Sequence, residues 1–286
     1  MNKILIICEL HNKNIAEMCF DHIKSFKKYS KNKIWYFDST YKYLFRSINF
    51  NFFDVIVVHW NLLITSNFFF PEKIASAITK FNGLKILFIQ DEYRDTNNIV
   101  DKVLKLKINI LFSCLHNFKS QLVIYKKLIN NNIKVLPTLT GYLPDQKIRR
   151  HKPISERNLD IFYRGRDIPY IMGTIGREKK LIATKTLYYH KRLKNTLKVD
   201  ISYKEDKRIY GNDWYQKLKN SKCTLLTESG SCLVDFNGEL WKLLYGKSFQ
   251  KKKIEKVFNK LNNNLDATGI SPRVLEAIFF KTAIIA

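Results

Sequence analysis

The segment Asp-Val-Ile-Val-Val-His-Trp at residues 54–60 contains four consecutive apolar β-branched residues followed by a histidine. Such a run favours a strand that is buried on both faces, which is typical of a parallel sheet. Similar runs predict six strands in the first half of the chain, at residues 3–9, 33–39, 54–60, 85–91, 109–115 and 134–136. The segments between them, such as 14–27 and 71–81, have the length and periodicity of helices. This alternation predicts a doubly wound α/β fold.

A polar, basic stretch at about residues 146–158 interrupts the alternation and predicts a linker between domains. Beyond it we predict strands at residues 159–164, 198–203, 223–229 and 282–286, and helices at residues 176–193, 212–220 and 271–280. The polar run Asn262-Asn263-Asn264 predicts only a loop. We therefore expect an α/β chain of two Rossmann-like parallel-sheet domains, at residues 1–145 and 159–286. The second domain is expected to be incomplete, because the chain stops inside a predicted buried strand.

The 286-residue chain carries 50 Lys and Arg against 25 Asp and Glu, a formal net charge of +25. The lysines are spread along nearly the whole chain, as a coding bias toward AT-rich codons would give, and this does not favour nucleic acid as a partner. A basic surface would still favour anionic membranes or polyanionic substrates. The five cysteines form no CxxC pair, and the first apolar run is too short for a signal peptide. Free thiols in a reducing, cytoplasmic compartment are expected.

Ligands of open parallel sheets bind beyond the carboxyl ends of the strands, which singles out three residues of the first half as catalytic candidates. His59 directly follows a predicted strand and is a candidate base or hydroxyl-orienting group, although a histidine there is as often a structural hydrogen-bonding group. Asp91 and Glu92 end the next strand and are candidates for a base and an acceptor-orienting group. The alternative for Glu92 is a helix cap.

In the second half, three stretches supply groups that suit a nucleotide. Arg164 and Arg166 end a strand, and Lys179 lies in a Gly-rich segment that opens a helix, where backbone N–H groups and cations favour a diphosphate. Residues 227–231 predict a small-residue turn that a ligand can approach closely. Glu276 lies one turn into a helix that begins with Ser-Pro, and its carboxylate suits a ribose diol. Taken singly, each stretch is also compatible with an ordinary turn or a solvated helix.

The order and spacing of these stretches resemble the GT-B glycosyltransferases of the bacterial spore-maturation-protein-like group. The resemblance lies in four segments, Asp160-Ile-Phe-Tyr-Arg-Gly-Arg166, Gly176-Arg-Glu-Lys179, Glu228-Ser-Gly-Ser231 with Asp235-Phe-Asn-Gly-Glu239, and Ser271-Pro-Arg-Val-Leu-Glu-Ala277. Segments 88–94 and 138–144 of the first half are similar to the same group, so the resemblance covers nearly the whole chain. Complete GT-B domains continue beyond the strand at 282–286 with a final helix.

The resemblance implies transfer of a sugar from a nucleotide-sugar donor to a polysaccharide, cell-surface glycan or lipid-linked acceptor, with no metal and no cofactor besides the donor. It implies a cytoplasmic enzyme that can associate peripherally with the inner face of an anionic membrane. The implied donor-binding residues are Arg164, Arg166, Lys179, Ser229, Gly230, Ser231 and Glu276. Asp235 and Glu239 contact the donor or cap the following helix. The alternatives are a nucleotide-sugar epimerase on the same fold and a non-catalytic protein that binds a nucleotide sugar or a polyanion.

Overall fold

The first half of the chain forms a six-stranded parallel sheet. The computed structural model describes residues 1–11, 16–41, 43–143, 152–168, 170–193, 196–245 and 250–286. The strands are β1 (Lys3–Cys8), β2 (Lys33–Asp38), β3 (Val55–Val58), β4 (Leu84–Ile89), β5 (Ile110–Ser113) and β6 (Lys134–Pro137). Their order is β2-β1-β3-β4-β5-β6, and all neighbours are parallel. All six predicted strands therefore occur, and every residue of β3 is buried as its β-branched run predicts.

Helices connect these strands, and the charged residues at their ends and the apolar residues on their buried faces follow from the sequence. They are α1 (Glu17–Tyr29), α2 (Glu72–Lys80), α3 (Thr96–Lys105), α4 (Phe118–Ile124) and α5 (Lys126–Asn130). In α2 an acidic residue occupies the first turn and a lysine the last, which suits the helix dipole, and Ile74 and Ile78 are buried one turn apart. The predicted start of the first helix at residues 14 and 15 lies outside the described residues.

The second half forms a smaller parallel sheet, and this confirms two Rossmann-like parallel sheets. The strands of the second half are β7 (Leu159–Arg164), β8 (Val199–Ser202), β9 (Ser221–Leu225), β10 (Ser229–Leu233), β11 (Asn262–Gly269) and β12 (Ala283–Ile285). Its helices are α6 (Gly173–Arg192), α7 (Gly211–Lys219), α8 (Glu239–Tyr245), α9 (Lys251–Leu261) and α10 (Pro272–Phe279). The parallel sheet has the order β12-β9-β7-β8. No helix within the described residues combines the length and apolar content that a bilayer span requires.

A separate two-stranded antiparallel sheet of β10 and β11 replaces two predicted irregular segments. Residues 229–231 are strand rather than turn, and residues 262–264 are strand rather than loop, so both predictions were wrong. Gly230 has φ of +78°, and a Cβ atom there would lie 2.2 Å from the Ala267 carbonyl oxygen. The small residues therefore serve strand packing. The Asn264 side chain bonds both the N–H and the carbonyl of Val234, which explains an asparagine in this polar strand.

The last strand, β12, differs from its prediction as a buried strand. It pairs with β9 alone and lies at the edge of the four-stranded sheet, where all three of its residues are exposed. The reason is positional, because an apolar sequence identifies a strand but does not say whether the strand lies at the centre or the edge of its sheet.

The two halves share a core and main-chain hydrogen bonds through a bridging segment at residues 234–237. The Asp235 N–H donates to the Tyr93 carbonyl at 2.9 Å, and the Thr96 N–H donates back to the Asp235 carbonyl at 3.2 Å. The Asp235 carboxylate accepts from the N–H groups of Glu239 and Leu240, both at 2.9 Å, so Asp235 caps α8. Four buried apolar residues of the second half also belong to the main core of the first, namely Ile171, Met172, Val234 and Ala267.

Arg157 lies in the predicted linker but is a buried structural residue, whereas linker residues 146–151 lie outside the described part of the chain. Its guanidinium donates to the Ser221 carbonyl at 2.8 Å, to the Thr282 hydroxyl at 3.0 Å and to the Phe280 carbonyl at 2.9 Å. These acceptors lie at the start of β9 and between α10 and β12. The Arg157 side chain therefore links the start of β9 to the segment that precedes the edge strand β12.

We expect Arg157→Ala to lower the free energy of unfolding by about 3 kcal/mol, because it leaves several buried acceptors without a donor. Urea unfolding followed by far-UV circular dichroism measures the change. Arg192→Ala, at an exposed position at the end of α6, is the control and should stay within about 0.5 kcal/mol of the parent. Equal unfolding midpoints for Arg157→Ala and the parent would contradict the structural role.

Candidate functional site

A cleft of about 210 Å³ opens between the start of α1 in the first half and the carboxyl end of the second sheet. We call it the cationic cleft. The first half contributes Glu17 and Met18, and the second half contributes the segments after β7 and before α7 and the start of α10. This position, beyond the ends of parallel strands, is where α/β folds bind their ligands. Its charged residues from the second half are Arg164, Arg166, Arg208, Arg273 and Glu276.

Arg273 is the cation of this cleft whose charge has no direct carboxylate partner. Its guanidinium carbon lies 5.7 Å from the Tyr163 ring centre and 5.3 Å from that of Trp214. No ion pair joins it to a carboxylate within the described residues. Burial lowers its pKa, but a guanidinium keeps its proton at neutral pH. The two rings therefore hold a charged fork in place without neutralising it.

Arg164, the first residue predicted to bind the donor, is engaged by protein groups instead. It pairs with the Asp200 carboxylate at 2.6 Å, and its guanidinium also donates to the carbonyls of Tyr163, Asp200 and Lys207, each at 3.0 Å. Its side chain is largely buried. The sequence Arg-Gly-Arg places two cations at a strand end, but two of the residues that engage the first of them, Asp200 and Lys207, lie more than thirty residues away.

Arg166 and Arg208 lie at the mouth of the cationic cleft and share one carboxylate. Arg166 Nε is 3.4 Å from a Glu205 oxygen, and Arg208 is 2.6 Å from the other. Both side chains keep part of their surface in solvent, so one carboxylate balances two cations at this point. With Arg273 behind them, the cleft carries an excess of positive charge.

Glu276 supplies the carboxyl group of the cationic cleft. It is buried on α10, and its Oε2 accepts from the Trp214 indole N–H at 2.8 Å. Burial raises its pKa to about 7, although the Trp214 bond and the charge of Arg273 oppose the rise. One carboxyl oxygen is thus occupied by Trp214, and a diol would meet the other.

Lys179 lies between the cationic cleft and the first half of the molecule. It is half-buried on α6, and within the described residues no carboxylate pairs with its ammonium group directly. Burial lowers its pKa to about 8, with further lowering by Arg273 and Arg166 and an opposite effect from Asp91. Its amine therefore responds to charges from both halves.

The serines of the predicted phosphate-facing turn are part of β10. Ser231 is fully buried, and its hydroxyl donates to the Leu233 carbonyl at 2.8 Å and accepts from the Leu233 N–H at 2.9 Å. Gly230 pairs with Thr268 of β11, and Ser229 pairs with Gly269. The main chain of these three residues is thus part of the β10–β11 sheet, and none of the three lines the cationic cleft.

A second cavity, of about 560 Å³, opens at the carboxyl ends of β3 and β4, and we call it the β3–β4 cavity. Its floor is apolar, and its rim carries Gln90, Asp91, Arg94 and Asn98 from the first half and Trp241 of α8 from the second. The volume lies within the range of small-molecule sites, and the mixture of an aromatic ring with hydrogen-bonding groups suits a polar ring-shaped ligand.

Asp91 is the candidate catalytic residue that faces this cavity. Its side chain is 53% exposed, accepts from the Tyr93 hydroxyl at 2.9 Å and pairs with Arg94 at 3.2 Å. Its φ of 60° places a non-glycine residue in the left-handed region. Asp and Asn adopt this conformation more readily than other non-glycine residues, and Asp95 shares it, so the case for Asp91 rests on its exposed carboxylate in the cavity.

His59 and Glu92, the two other candidates, are enclosed by protein. The His59 ring is fully buried, with Nδ1 2.9 Å from Asn61 Oδ1 and Nε2 3.0 Å from His22 Nδ1. Burial lowers its pKa to about 3, so it is neutral at physiological pH. Glu92 is buried behind β5, where it accepts from the Ser113 hydroxyl at 2.6 Å and the Cys114 N–H at 3.0 Å rather than capping α3. Neither lies where a substrate would reach it.

Comparison of the chain with models of protein families, with curated proteins and with solved structures finds no match to any of them. Function must therefore be argued from the chemistry of the two cavities. Within the described residues no group of three His, Cys, Asp or Glu side chains is placed to hold a metal ion, and all five cysteines are free thiols.

Arg273 is the site residue that the sequence argument missed. It stands in the quoted segment Ser271-Pro-Arg-Val-Leu-Glu-Ala277, three positions before Glu276. That spacing places the two side chains on one face of a helix, so the signal that selects Glu276 also selects Arg273. Trp214, which holds both, has no sequence signal, because its contact depends on the packing of α7 against α10.

We expect Glu92→Gln to stabilise the protein at pH 8 by a few kcal/mol, because one pKa unit corresponds to about 1.4 kcal/mol. Burial raises the pKa of Glu92 to about 7, above the ordinary glutamate value of 4.5. The folded protein therefore favours the protonated carboxyl. The free energy of unfolding falls as the pH rises from 4.5 to about 7, and the full cost of ionising the buried carboxyl is present above pH 7. Glutamine keeps an oxygen for Ser113 and Cys114. Urea unfolding of both proteins at pH 5 and pH 8 tests this, and an advantage that is equal at the two pH values would contradict it.

Proposed function

We propose that the protein is a glycosyltransferase of GT-B architecture that transfers a sugar from a nucleoside-diphosphate sugar to a glycan acceptor. The observation that carries the proposal is the Arg273 guanidinium, which has no ion pair within the described residues, beside Arg166 and Arg208 in the cationic cleft and near enough to Lys179 to lower the pKa of that amine. Cations that lack carboxylate partners are costly to bury, and a ligand with two phosphates would supply the missing charge. The order of the motifs in the sequence supports the same reaction.

In this proposal the donor occupies the cationic cleft. The diphosphate meets Arg273 through the two parallel N–H groups of the guanidinium fork, with Arg166 and Arg208 at the entrance. Glu276 accepts a ribose hydroxyl with the carboxyl oxygen that Trp214 leaves available. Arg164 affects the donor indirectly. Its ion pair with Asp200 holds in place the loop that carries Arg166. The serines of β10 have no direct part in donor binding.

The acceptor occupies the β3–β4 cavity, where the Trp241 ring offers a surface for a sugar ring. An acceptor hydroxyl attacks the anomeric carbon of the donor sugar, and its proton passes to the Asp91 carboxylate. The bond between that carbon and the diphosphate oxygen breaks, and the electron pair leaves with the diphosphate. Arg273 and Lys179 stabilise the negative charge that develops on the leaving group. Lys179 suits this role because it responds to charges from both cavities.

The test has two steps and uses the full chain. UDP, GDP, CDP and dTDP are screened by thermal shift, since a ligand that binds only the folded state raises the unfolding temperature. The matching nucleotide sugars are then incubated with the protein, and release of nucleoside diphosphate is followed with and without glycan acceptors. We expect one base to stabilise the protein and an acceptor to accelerate release. Interconversion of two nucleotide sugars without release would identify an epimerase, and binding without turnover would identify a binding protein.

A further inference from the structure

The outer surface of α4 and α5 exposes apolar side chains among lysines, and we call it the α4–α5 face. Phe118 is 69% exposed, Leu122 44%, Val123 54% and Ile129 41%. Phe118 and Leu122 lie one helical turn apart, as do Lys119 and Val123, so apolar and cationic side chains occupy one surface. Large apolar side chains gathered on an exposed helix face mark an interaction surface more often than scattered ones do.

All the charged side chains between Asp101 and Asp145 are basic. Between Asp101 and Asp145 the sequence contains no acidic residue, and its seven lysines are Lys102, Lys105, Lys107, Lys119, Lys126, Lys127 and Lys134. Lys102 and Lys105 pair with Glu72, and Lys127 pairs with Asp101 at 2.6 Å, whereas Lys119 and Lys126 are exposed on the α4–α5 face itself and form no ion pair with a described carboxylate. An apolar surface that carries these two lysines is complementary to a partner that is apolar and anionic at once.

We propose that the α4–α5 face docks the protein on an anionic lipid bilayer. Acyl chains accept the side chains of Phe118, Leu122 and Val123, and the anionic headgroups meet Lys119 and Lys126. A nucleic acid would use the lysines but leave the aliphatic side chains without a function. A second copy of the chain would bring two lysine-rich surfaces together, and the like charges would repel.

Two structural details fit a bilayer at this face. A depression of about 560 Å³ beside α5 is lined by Lys126, Lys127 and Asn130 and also by Asp101, which already pairs with Lys127, so Lys126 is the cation there that would meet a lipid headgroup next to the apolar side chains. The start of α4 also contacts the second half of the protein, because Asn117 donates to the Asp266 carboxylate of β11 at 3.0 Å. The face therefore lies beside the junction of the two halves, where a lipid-linked acceptor would approach. The docking itself does not depend on the proposed reaction.

The test is flotation of the full chain with vesicles of phosphatidylcholine alone or with about 30 mol% phosphatidylglycerol. We expect the parent to float with the anionic vesicles and to remain in solution with the neutral ones. The double variant Phe118→Ser/Leu122→Ser, at exposed positions that do not affect the core, should bind at least about tenfold more weakly. Lys119→Glu/Lys126→Glu should also weaken binding, which tests the charge separately from the apolar contacts.

Phe68→Ser is the matched control, because Phe68 is as exposed as Phe118 but lies outside the α4–α5 face. Its binding to anionic vesicles should equal that of the parent. The proposal is overturned if the parent does not float with anionic vesicles, or if Phe118→Ser/Leu122→Ser floats as well as the parent does. A dimer in solution that this double variant abolishes, without flotation of the parent, would assign the face to self-association instead. None of these results requires enzymatic activity, so failure here leaves the glycosyltransferase proposal standing.

Discussion

Arg273→Ala should lower the affinity for the stabilising nucleoside diphosphate about 100-fold, which corresponds to about 2.7 kcal/mol. The expected size follows from the loss of a bidentate, charge-assisted contact with phosphate in a partly buried cleft. Because the guanidinium forms no ion pair within the described residues, its removal breaks none, and the buried Glu276 carboxyl, which loses a nearby positive charge, keeps its bond from Trp214, so the fold should persist. Isothermal titration calorimetry with the nucleotide that the thermal-shift screen selects measures the change.

Three companion variants separate this role from a general effect of charge. Arg273→Lys keeps the charge without the planar fork and should recover only part of the affinity. Lys185→Ala removes an exposed cation from α6 and should bind like the parent. Arg164→Ala should instead lower the unfolding midpoint, because Asp200 loses its ion pair with Arg164 at 2.6 Å and keeps only the one with Lys217. A folded Arg273→Ala protein with unchanged affinity would remove Arg273 from the donor site.

The strands of both parallel sheets could be predicted because the residue types within each strand are themselves typical of a β-strand. In β3 four β-branched residues are buried on both faces, and in β7 the predicted and observed bounds coincide. The β10–β11 sheet could not be predicted in the same way. Its residues are Ser, Gly, Asn and Asp as much as Leu, and the Asn264 side chain satisfies the Val234 main chain thirty residues away. Long-range pairing of polar strands leaves no local periodicity.

The candidate site shows the same limit for side chains. The sequence identifies the segments that meet at the cationic cleft, because each follows a strand or opens a helix. It does not identify which cation is neutralised, since the carboxylate that engages Arg164 comes from β8 and the rings that hold Arg273 come from β7 and α7. It also does not distinguish Asp91 from Glu92. These neighbours leave the same strand end, and the left-handed φ at Asp91 directs one side chain to solvent and the other into the core.

Lys179 explains how two cavities on separate sheets could act on one reaction. Burial and the nearby arginines lower its pKa to about 8, while Asp91 acts in the opposite direction. A diphosphate in the cationic cleft would raise that pKa, so binding of the donor holds the amine in its charged form. In the proposed reaction that charge would face the phosphates as the bond to the sugar breaks, which is where positive charge lowers the barrier.

Asp91→Asn should lower the rate of nucleoside-diphosphate release in the presence of acceptor by about 100-fold or more, the usual contribution of a general base. Asparagine has the same shape and tolerates the left-handed backbone, so the φ of 60° can persist. Donor affinity should stay within about threefold, because Asp91 lies outside the cationic cleft. Steady-state kinetics together with calorimetric binding of the nucleoside diphosphate separate these two effects.

Asp95→Asn provides a closely matched comparison for that result. Asp95 also lines the β3–β4 cavity and also has a positive φ, of 49°, but it stands at the start of α3, where its carboxylate accepts from the Asn98 amide at 2.9 Å. We expect Asp95→Asn to retain turnover close to that of the parent. If Asp95→Asn abolishes turnover and Asp91→Asn does not, the base is Asp95. If both variants turn over normally while Arg273→Ala loses the donor, proton removal must use a group outside this cavity.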